Sequence, residues 1–135
     1  MVIEIKAEPD LKLRLLWLLV GYALVALVIF LSLTSSPVDM KLSIPYKDKF
    51  FHVLAYFSLM AWFSQIYHGR LQRNVAAVAF VLMGVTLEFL QGFDPERYFE
   101  YADMLANSVG VALGFFVELT GAKNILLRFE GLLKI

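Results

Sequence analysis

Long apolar runs alternate with short polar segments along the chain. The first run, 15–33, is almost purely apolar and is long enough to cross a bilayer core of roughly 30 Å as a helix. Three further runs follow at about 50–67, 75–92 and 104–120. Because membrane spans must satisfy their backbone groups internally, the pattern predicts an all-α fold, a four-helix transmembrane bundle with up-and-down connections. We expect a single domain, residues 1–135.

The segments beside these runs support the same division. Pro37 and Pro45 interrupt helix formation between the first two runs. The first run could alternatively be a secretory signal peptide, but it is longer than the usual apolar region and lacks a clear cleavage site. In the tail, 123–135, apolar and basic residues recur at roughly helical spacing. That spacing predicts a C-terminal amphipathic helix on the membrane surface.

The overall composition also favours a membrane protein. Hydrophobic residues make up 60% of the chain and charged residues 18%, with a mean hydropathy of +0.71, whereas soluble domains contain about 45–50% and about 25%. Twelve basic and twelve acidic side chains give a formal net charge of zero, so no whole-protein field attracts nucleic acid. Cysteine is absent, which excludes disulfides, thiol catalysis and thiolate metal sites.

The distribution of basic residues indicates an orientation. In a four-span topology the N-terminal segment, the turn at 68–74 and the C-terminal tail lie on one side. They hold eight of the twelve Lys and Arg residues: Lys6, Lys12, Arg14, Arg70, Arg73, Lys123, Arg128 and Lys134. The other two loops hold Lys41, Lys47, Lys49 and Arg97. The positive-inside rule therefore predicts that both termini are cytoplasmic. We expect His68 to be solvated in the basic turn and Glu118 to snorkel toward water.

Polar and small residues form one stripe on each of the last three predicted spans. Residues four or seven apart lie on the same face of a helix. The stripes are Asp48, His52 and Tyr56; then Gly84, Glu88 and Gln91; then Asp103, Asn107, Gly110, Gly114 and Gly121. In the predicted topology the polar members of all three stripes lie at the outer end. The spacing therefore predicts one polar cluster shared by three helices.

A pair of glycines provides a packing reason for such a cluster. Gly110 and Gly114 form a G-x-x-x-G pattern, which lets a neighbouring helix backbone approach closely. A close neighbour would bring Asp103 and Asn107 near Glu88 or His52. The alternative is generic helix packing, which is compatible with a site because a site needs packed walls.

Carboxylates inside a membrane are functional candidates, because a buried charge is costly without a partner. Glu88 or Asp103, together with His52, could act as general base and acid. The structural alternatives are that Glu88 snorkels or forms an ion pair, that Asp103 caps a helix N-terminus, and that His52 is a hydrogen-bonded core histidine. We take these three as candidate catalytic residues.

Ligand contacts are expected around the same cluster. The planar guanidinium of Arg97 suits a phosphate or carboxylate, with a solvated loop charge as the alternative. Lys49 suits a headgroup contact or an interfacial anchor, and Tyr56 suits a ligand contact or packing. The predicted ligand-binding residues are Asp48, Lys49, Tyr56, Gln91, Arg97 and Asn107.

No cofactor or metal site is predicted. His52, Glu88 and Asp103 are a conceivable ligand set, but the chain has no compact signature such as H-E-x-x-H. The sequence also contains no Gly-rich phosphate loop and no nucleophile elbow.

The order and spacing of these residues resemble a known family. The motifs are Asp48-Lys49-x-x-His52-x-x-x-Tyr56, Glu88-x-x-Gln91, and Arg97-x5-Asp103-x-x-x-Asn107-x-x-Gly110-x-x-x-Gly114. Together they cover about half of the chain and resemble the VanZ-like family of small bacterial membrane proteins. The resemblance implies a bacterial inner-membrane location and a role at the cell envelope. It also implies a possible part in resistance to the lipoglycopeptide teicoplanin, although it implies no particular reaction.

Four functions are compatible with this pattern. The first is binding of a lipid-linked envelope precursor or lipoglycopeptide at the outer leaflet, with membrane lipids around the helices. The second is an enzyme that acts on a lipid headgroup by acid/base chemistry. The third is proton or ion conduction, which the sparse ionisable lining of the inner half disfavours. The fourth is a structural partner in a membrane complex.

Overall fold

The computed structural model describes residues 11–33, 47–93 and 101–134, with the side chains of Lys47 and Asp48 outside that description. The described part of the chain is helical and contains no strand, which confirms the all-α prediction for these residues. Its helices are α1 (Arg14–Leu33), α2 (Lys47–Ile66), α3 (Arg70–Gln91), α4 (Tyr101–Phe115) and α5 (Ile125–Leu132). Two short 3-10 helices, Phe116–Leu119 and Gly121–Asn124, join α4 to α5.

Three helical segments of the described chain are long and apolar enough to cross a membrane. They are Arg14–Leu33, Arg70–Gln91 and Tyr101–Leu119, which coincide with three of the four predicted spans. Many large apolar side chains on these segments are exposed, including Leu15, Leu82 and Leu105. Exposed apolar surface on this scale favours contact with lipid over contact with water. The helices therefore support a transmembrane protein.

Helix α2 is not among these three apolar segments. It contacts each of the other four α-helices, so much of its surface faces protein. The hydrophobic core of the described residues includes Tyr56, Leu59, Met60 and Phe63 of this helix. Because its neighbours cover it, α2 can carry polar residues that a lipid-facing helix would not tolerate.

Contacts between helix ends show how the helices run. Gln91 Nε2, at the end of α3, donates to the carbonyl of Ser32 at the end of α1 over 2.7 Å. Arg14, at the start of α1, donates to the carbonyl of Ile66 at the end of α2 over 3.3 Å. Arg73, near the start of α3, donates to the carbonyl of Phe115 at the end of α4 over 2.6 Å. Helices α1 and α3 therefore run opposite to α2 and α4.

We name the two ends of this assembly after one residue each. The Asp103 end contains the last turns of α1 and α3 and the first turns of α2 and α4, including Ser32, Lys49, Gln91 and Asp103. The Glu130 end contains the opposite helix ends and α5, including Arg14, Ile66, Arg73 and Glu130.

Two glycines of α4 set its distance from α2. A Cβ atom added to Gly114 would lie 2.7 Å from Met60 Cβ and 2.9 Å from the amide nitrogen of Ala61. A Cβ added to Gly110 would lie 3.0 Å from the amide nitrogen of Phe57 and would also meet the carbonyl of Val53. The two helix backbones are thus in contact, which carries the polar first turns of α2 and α4 against each other.

The face of α5 toward the other helices contains both apolar and charged side chains. Leu126 packs with Leu11, Trp17 and Ile66. Beside it the Glu130 side chain is only 3% exposed. The sequence predicted a surface helix with an apolar face toward the membrane, but it did not anticipate a buried carboxylate that faces the other helices.

Candidate functional site

Asp103 lies in the first turn of α4 between two basic groups of α2. Its Oδ1 is 2.6 Å from Lys49 Nζ, and its Oδ2 is 3.7 Å from His52 Nε2. The carboxylate is thus inside the described helix, within the first turn and not at an N-cap, where it still complements the helix dipole. The Lys49 and His52 side chains remain partly accessible. The cluster is therefore open enough to be reached from outside.

His52 is held on its other side by Asn107. The distance between His52 Nδ1 and Asn107 Oδ1 is 2.9 Å. An amide oxygen can only accept a hydrogen bond, so His52 Nδ1 carries the hydrogen and donates it. Its other ring nitrogen, Nε2, then faces Asp103 Oδ2. The orientation of this imidazole is thereby fixed between the amide and the carboxylate.

A deeper layer lies where α3 meets α2 and α4. A Cβ added to Gly84 would lie 3.1 Å from Asn107 Nδ2 and 3.4 Å from Tyr56 Cε1. Glu88, one turn beyond Gly84 on the same face of α3, is only 1% exposed. The Tyr56 hydroxyl is buried, and it has no hydrogen-bond partner among the described residues. Because α3 runs toward the Asp103 end, Glu88 lies nearer to that end than Gly84 does, so a buried acid accompanies Lys49, Asp103 and His52 there.

Gln91 connects this end of α3 to α1. It is buried, and its Nε2 donates to the carbonyl of Ser32, one of the last helical residues of α1. The carbonyls at a helix end have no partner within the helix. Gln91, which the sequence suggested as a ligand contact, therefore satisfies one of these carbonyls.

Two predicted site residues fall outside the description. Arg97 lies in the segment 94–100, and the side chain of Asp48 is not described although its backbone belongs to α2. Their assignment to ligand binding stays a prediction. Within 11–33, 47–93 and 101–134 no group of three or more His, Asp or Glu side chains is arranged to hold a metal ion.

A second ion pair, whose arginine is buried, lies at the Glu130 end, and sequence reasoning missed it. Arg73 is buried and pairs with Glu118 through Nη1, while its guanidinium carbon lies 4.3 Å from the centre of the Phe115 ring. We expected Arg73 in a basic turn, and this was wrong because Arg73 lies inside α3, on the face toward α4. Glu118 is partly exposed, and the expectation that it snorkels toward water stays a prediction.

Glu130 makes the most extensive polar contact at this end. Its Oε1 accepts from the amide of Lys12 over 2.7 Å. Its Oε2 accepts from the amide of Leu13 over 2.9 Å and from Trp17 Nε1 over 2.6 Å. Lys12 and Leu13 form the turn directly before α1, so this carboxylate of the last helix holds the chain at the start of the first.

These contacts determine the protonation of Glu130. Burial alone raises the pKa of its carboxyl. The hydrogen bonds from Leu13, Trp17 and Lys12, with the nearby Lys12 charge, outweigh burial, so that the pKa lies below the ordinary value of 4.5. The side chain is therefore charged at neutral pH.

Two side chains near the end of α2 attach the C-terminal segment. Gln65 Oε1 accepts from the amide of Leu126 over 3.1 Å, and Gln65 Nε2 donates to the carbonyl of Ala122. His68 Nε2 lies 3.1 Å from the carbonyl oxygen of Lys123, to which it donates. His68 is buried, so the expectation that it is solvated was wrong. The unusual content of polar residues near the end of this apolar run was the only signal in the sequence.

Comparison of the chain with protein-family models, with curated proteins and with solved structures finds no match. The resemblance to the VanZ-like family therefore depends on the residues of this chain alone.

Proposed function

We propose that the chain is a VanZ-like integral membrane protein of the bacterial inner membrane, in which α1 to α4 all span the bilayer. The ends of α2 lie level with those of the apolar helices: Lys49 contacts the first turn of α4, and the carbonyl of Ile66 accepts from Arg14 of α1. A helix whose two ends meet the ends of spanning helices crosses the same thickness. Helix α2 can be less apolar than the other three because neighbouring helices, and not lipid, surround much of it.

We further propose that the Glu130 end is cytoplasmic. Eight of the twelve Lys and Arg residues belong to the N-terminal segment, the 68–74 turn and the C-terminal tail. The positive-inside rule assigns such segments to the cytoplasm. The Asp103 end then faces outward, at the level of the outer leaflet.

The function that the Asp103 end supports best is binding of an amphiphile with a polar headgroup, such as a lipid-linked envelope precursor or a lipoglycopeptide. The observation that carries this proposal is the partly accessible Lys49–Asp103–His52 cluster, at the end of the bundle that also holds buried Glu88. Lys49 offers a cation to a phosphate or carboxylate, and the exposed apolar helix faces beside it suit acyl chains. Protection against teicoplanin would follow if the protein engages the lipid-bearing drug or its target.

One observation favours an enzyme on a lipid headgroup as the second candidate. His52 is oriented by Asn107 at Nδ1 and leaves Nε2 toward Asp103, as expected of a general base held by a second group. A carboxylate and an imidazole within one site could pass a proton to or from a headgroup. A structural partner in a membrane complex is the remaining possibility.

The test uses a teicoplanin-susceptible bacterium. Wild type, Glu88→Gln, Asp103→Asn and Arg97→Ala would be expressed at matched membrane levels, and the inhibitory concentrations of teicoplanin and vancomycin compared. Lys49→Gln and Lys134→Gln form a matched pair, because only the first removes a cation from the Asp103 end. We expect the wild type and Lys134→Gln to raise the inhibitory concentration of teicoplanin alone. Protection that persists in all variants of the Asp103 end would exclude this cluster as the site.

A second experiment, which measures both turnover and binding of the amphiphile, distinguishes an enzyme from a binding protein. In an enzyme, Glu88→Gln or Asp103→Asn abolishes turnover but leaves the amphiphile bound. In a binding protein, Arg97→Ala and Lys49→Gln weaken binding most. A structural partner should tolerate His52→Gln and co-purify with another membrane protein.

A further inference from the structure

The outer face of α5 combines apolar and basic side chains. Residues 125, 128 and 132 are three, four and seven positions apart and so lie on one face of the helix. Ile125 is 55% exposed and Leu132 is 80% exposed, and Arg128 between them is also exposed. In water this apolar exposure is unfavourable, whereas at a lipid interface it is favourable.

Polar contacts on the inner face fix the rotation of α5. Glu130 binds the amides of Lys12 and Leu13 and the indole of Trp17, and the amide of Leu126 donates to Gln65. A rotation that buried Ile125 and Leu132 would break these hydrogen bonds. The outer face is therefore held outward by the fold.

The charges at this end of the described chain are mainly positive. Its two carboxylates are both engaged, Glu118 with Arg73 and Glu130 with the start of α1. The exposed cations of the described residues at this end are Lys12, whose charge acts on Glu130, and Arg70, Arg128 and Lys134, which form no ion pair with a described residue. Such a surface attracts anions, and at a membrane the abundant anions are lipid headgroups.

We propose that the outer face of α5 binds an anionic phospholipid, with Arg128 at the phosphate and with Ile125 and Leu132 among the acyl chains. The Arg128 guanidinium lies over the turn that precedes α5, where its Nη2 is 3.1 Å from the position of a Cβ on Gly121. Arginine suits this task because its planar fork donates two hydrogen bonds to one phosphate. The inference is independent of any activity at the Asp103 end. It requires only that the Glu130 end lies at a membrane surface. This position is implied because two apolar helices, α1 and α3, start at that end.

The chain contains its own reporter for this surface. It has two tryptophans, and their rings lie 6.1 Å apart at the Glu130 end. The ring of Trp17 is also 5.9 Å from that of Phe129 on α5. A brominated lipid bound at α5 should therefore quench the fluorescence of the protein.

The experiment uses the full chain in bilayers of phosphatidylcholine with phosphatidylglycerol, in which only one lipid is brominated at a time. We expect brominated phosphatidylglycerol to quench more than brominated phosphatidylcholine at equal mole fraction. Arg128→Gln should lower the relative affinity for phosphatidylglycerol roughly five-fold, the order expected for one basic residue at an anionic surface. Arg128→Lys should retain most of the preference, and high salt should reduce it.

Arg70→Gln is the matched control, because it removes an exposed cation from the start of α3 and not from the outer face of α5, and it should leave most of the preference unchanged. Circular dichroism would verify that each variant keeps its helix content. Equal quenching by the two lipids in the wild type would overturn the proposal, as would an unchanged preference in Arg128→Gln. The lipid preference does not depend on whether the protein raises the inhibitory concentration of teicoplanin, so the two proposals can fail separately.

Discussion

His52 of α2 and Asn107 of α4 meet through a hydrogen bond of 2.9 Å between Nδ1 and Oδ1. The bond links two helices whose backbones are in contact at Gly110 and Gly114, about one and two turns further along α4. It fixes the orientation of an imidazole whose second nitrogen faces a carboxylate. The position of His52 is therefore a property of how α2 and α4 pack.

Replacing Asn107 with leucine should disturb this arrangement. The substitution removes the acceptor for His52 Nδ1, and we expect the free energy of unfolding in detergent to fall by about 1–3 kcal/mol. Protection against teicoplanin should also fall, even when equal amounts of folded protein are compared. Thermal unfolding monitored by circular dichroism provides the measurement.

Ser108→Ala is the neighbouring control. Among the described residues the Ser108 hydroxyl bonds only to the carbonyl of Met104 in its own helix, so its loss should change stability much less. A leucine variant of Asn107 as stable and active as the wild type would show that this hydrogen bond is unimportant.

Gly114→Ala should separate α4 from α2. The added methyl group would lie within 3 Å of Met60 Cβ, the Ala61 amide and the Phe57 carbonyl, and two of these three atoms are backbone. Overpacking of this kind costs about 1–3 kcal/mol, and we expect a matching loss of thermal stability and of folded yield.

Gly131→Ala provides the opposite case in α5. Apart from its chain neighbours and the backbone of its own helix, no atom of the described residues lies within 4 Å of a Cβ placed there, and alanine is the better helix former by up to about 1 kcal/mol. We expect it to be neutral or slightly stabilising. If the two alanine variants behaved alike, the glycines of α4 would not set the helix distance.

Arg73→Leu should strongly destabilise the protein. It leaves the Glu118 carboxylate without its buried partner, and breaking a buried ion pair from one side costs roughly 3–5 kcal/mol. The double variant Arg73→Leu/Glu118→Leu should recover part of the loss, because both charges are gone. Arg70→Leu, one turn earlier and exposed, should have little effect on unfolding. Additive effects of the two substitutions at 73 and 118 would contradict a direct coupling.

Glu130→Gln should loosen the junction between α5 and the start of α1. The neutral amide cannot accept three hydrogen bonds as a carboxylate does, because its nitrogen is a donor only. We expect hydrogen exchange in residues 11–17 to accelerate roughly tenfold, on the order of the loss of one charged hydrogen bond. Exchange in the middle of α3 should not change. An unchanged rate at 11–17 would mean that the carboxylate does not hold this junction.

The same residue predicts a pH dependence. The pKa of Glu130 is lower in the folded protein than its ordinary value of 4.5, so the carboxylate binds protons less readily when folded. Its stabilisation is fully present above about pH 4.5 and is lost as the pH falls through the lower, folded-state pKa. Trp17 fluorescence followed between pH 7 and 3 should report this loss. In Glu130→Gln the acid transition should disappear.

The sequence predicted the polar faces better than it predicted the helix ends. Asp103 and Asn107 recur on one helical face, and the G-x-x-x-G pattern on the same face indicated which face a neighbour would contact. Helical periodicity needs no tertiary information. For this reason the proximity of His52 to these residues could be expected from spacing.

The exact ends of the helices could not be predicted from the apolar runs alone. The third run was predicted from about 75, but α3 begins at Arg70, because a polar first turn belongs to the helix without adding to its apolar length. The fourth run was predicted to about 120, whereas α4 ends at Phe115 and continues as a 3-10 helix, Phe116–Leu119. At the end of α4 the Arg73 side chain donates to the carbonyl of Phe115. This hydrogen bond joins residues that are distant in sequence, so the local pattern could not predict it.

The polar contacts of the Glu130 end were not predictable from pattern. Glu130 belongs to a tail rich in apolar and basic residues, and its partners are amides more than 110 positions earlier. A single carboxylate has the same local signature whether it faces water or a helix start. Only the packed structure distinguishes the two.

The contact between Glu130 and the start of α1 also sets an order in time. During synthesis the first helix reaches the membrane before residue 130 leaves the ribosome, so the amides of Lys12 and Leu13 meet their acceptor only after Glu130 has been made. A chain that stops before Glu130 lacks this acceptor, so we expect the start of its first helix to be less protected. Limited proteolysis at residues 11–17 should then distinguish such a chain from one that contains Glu130.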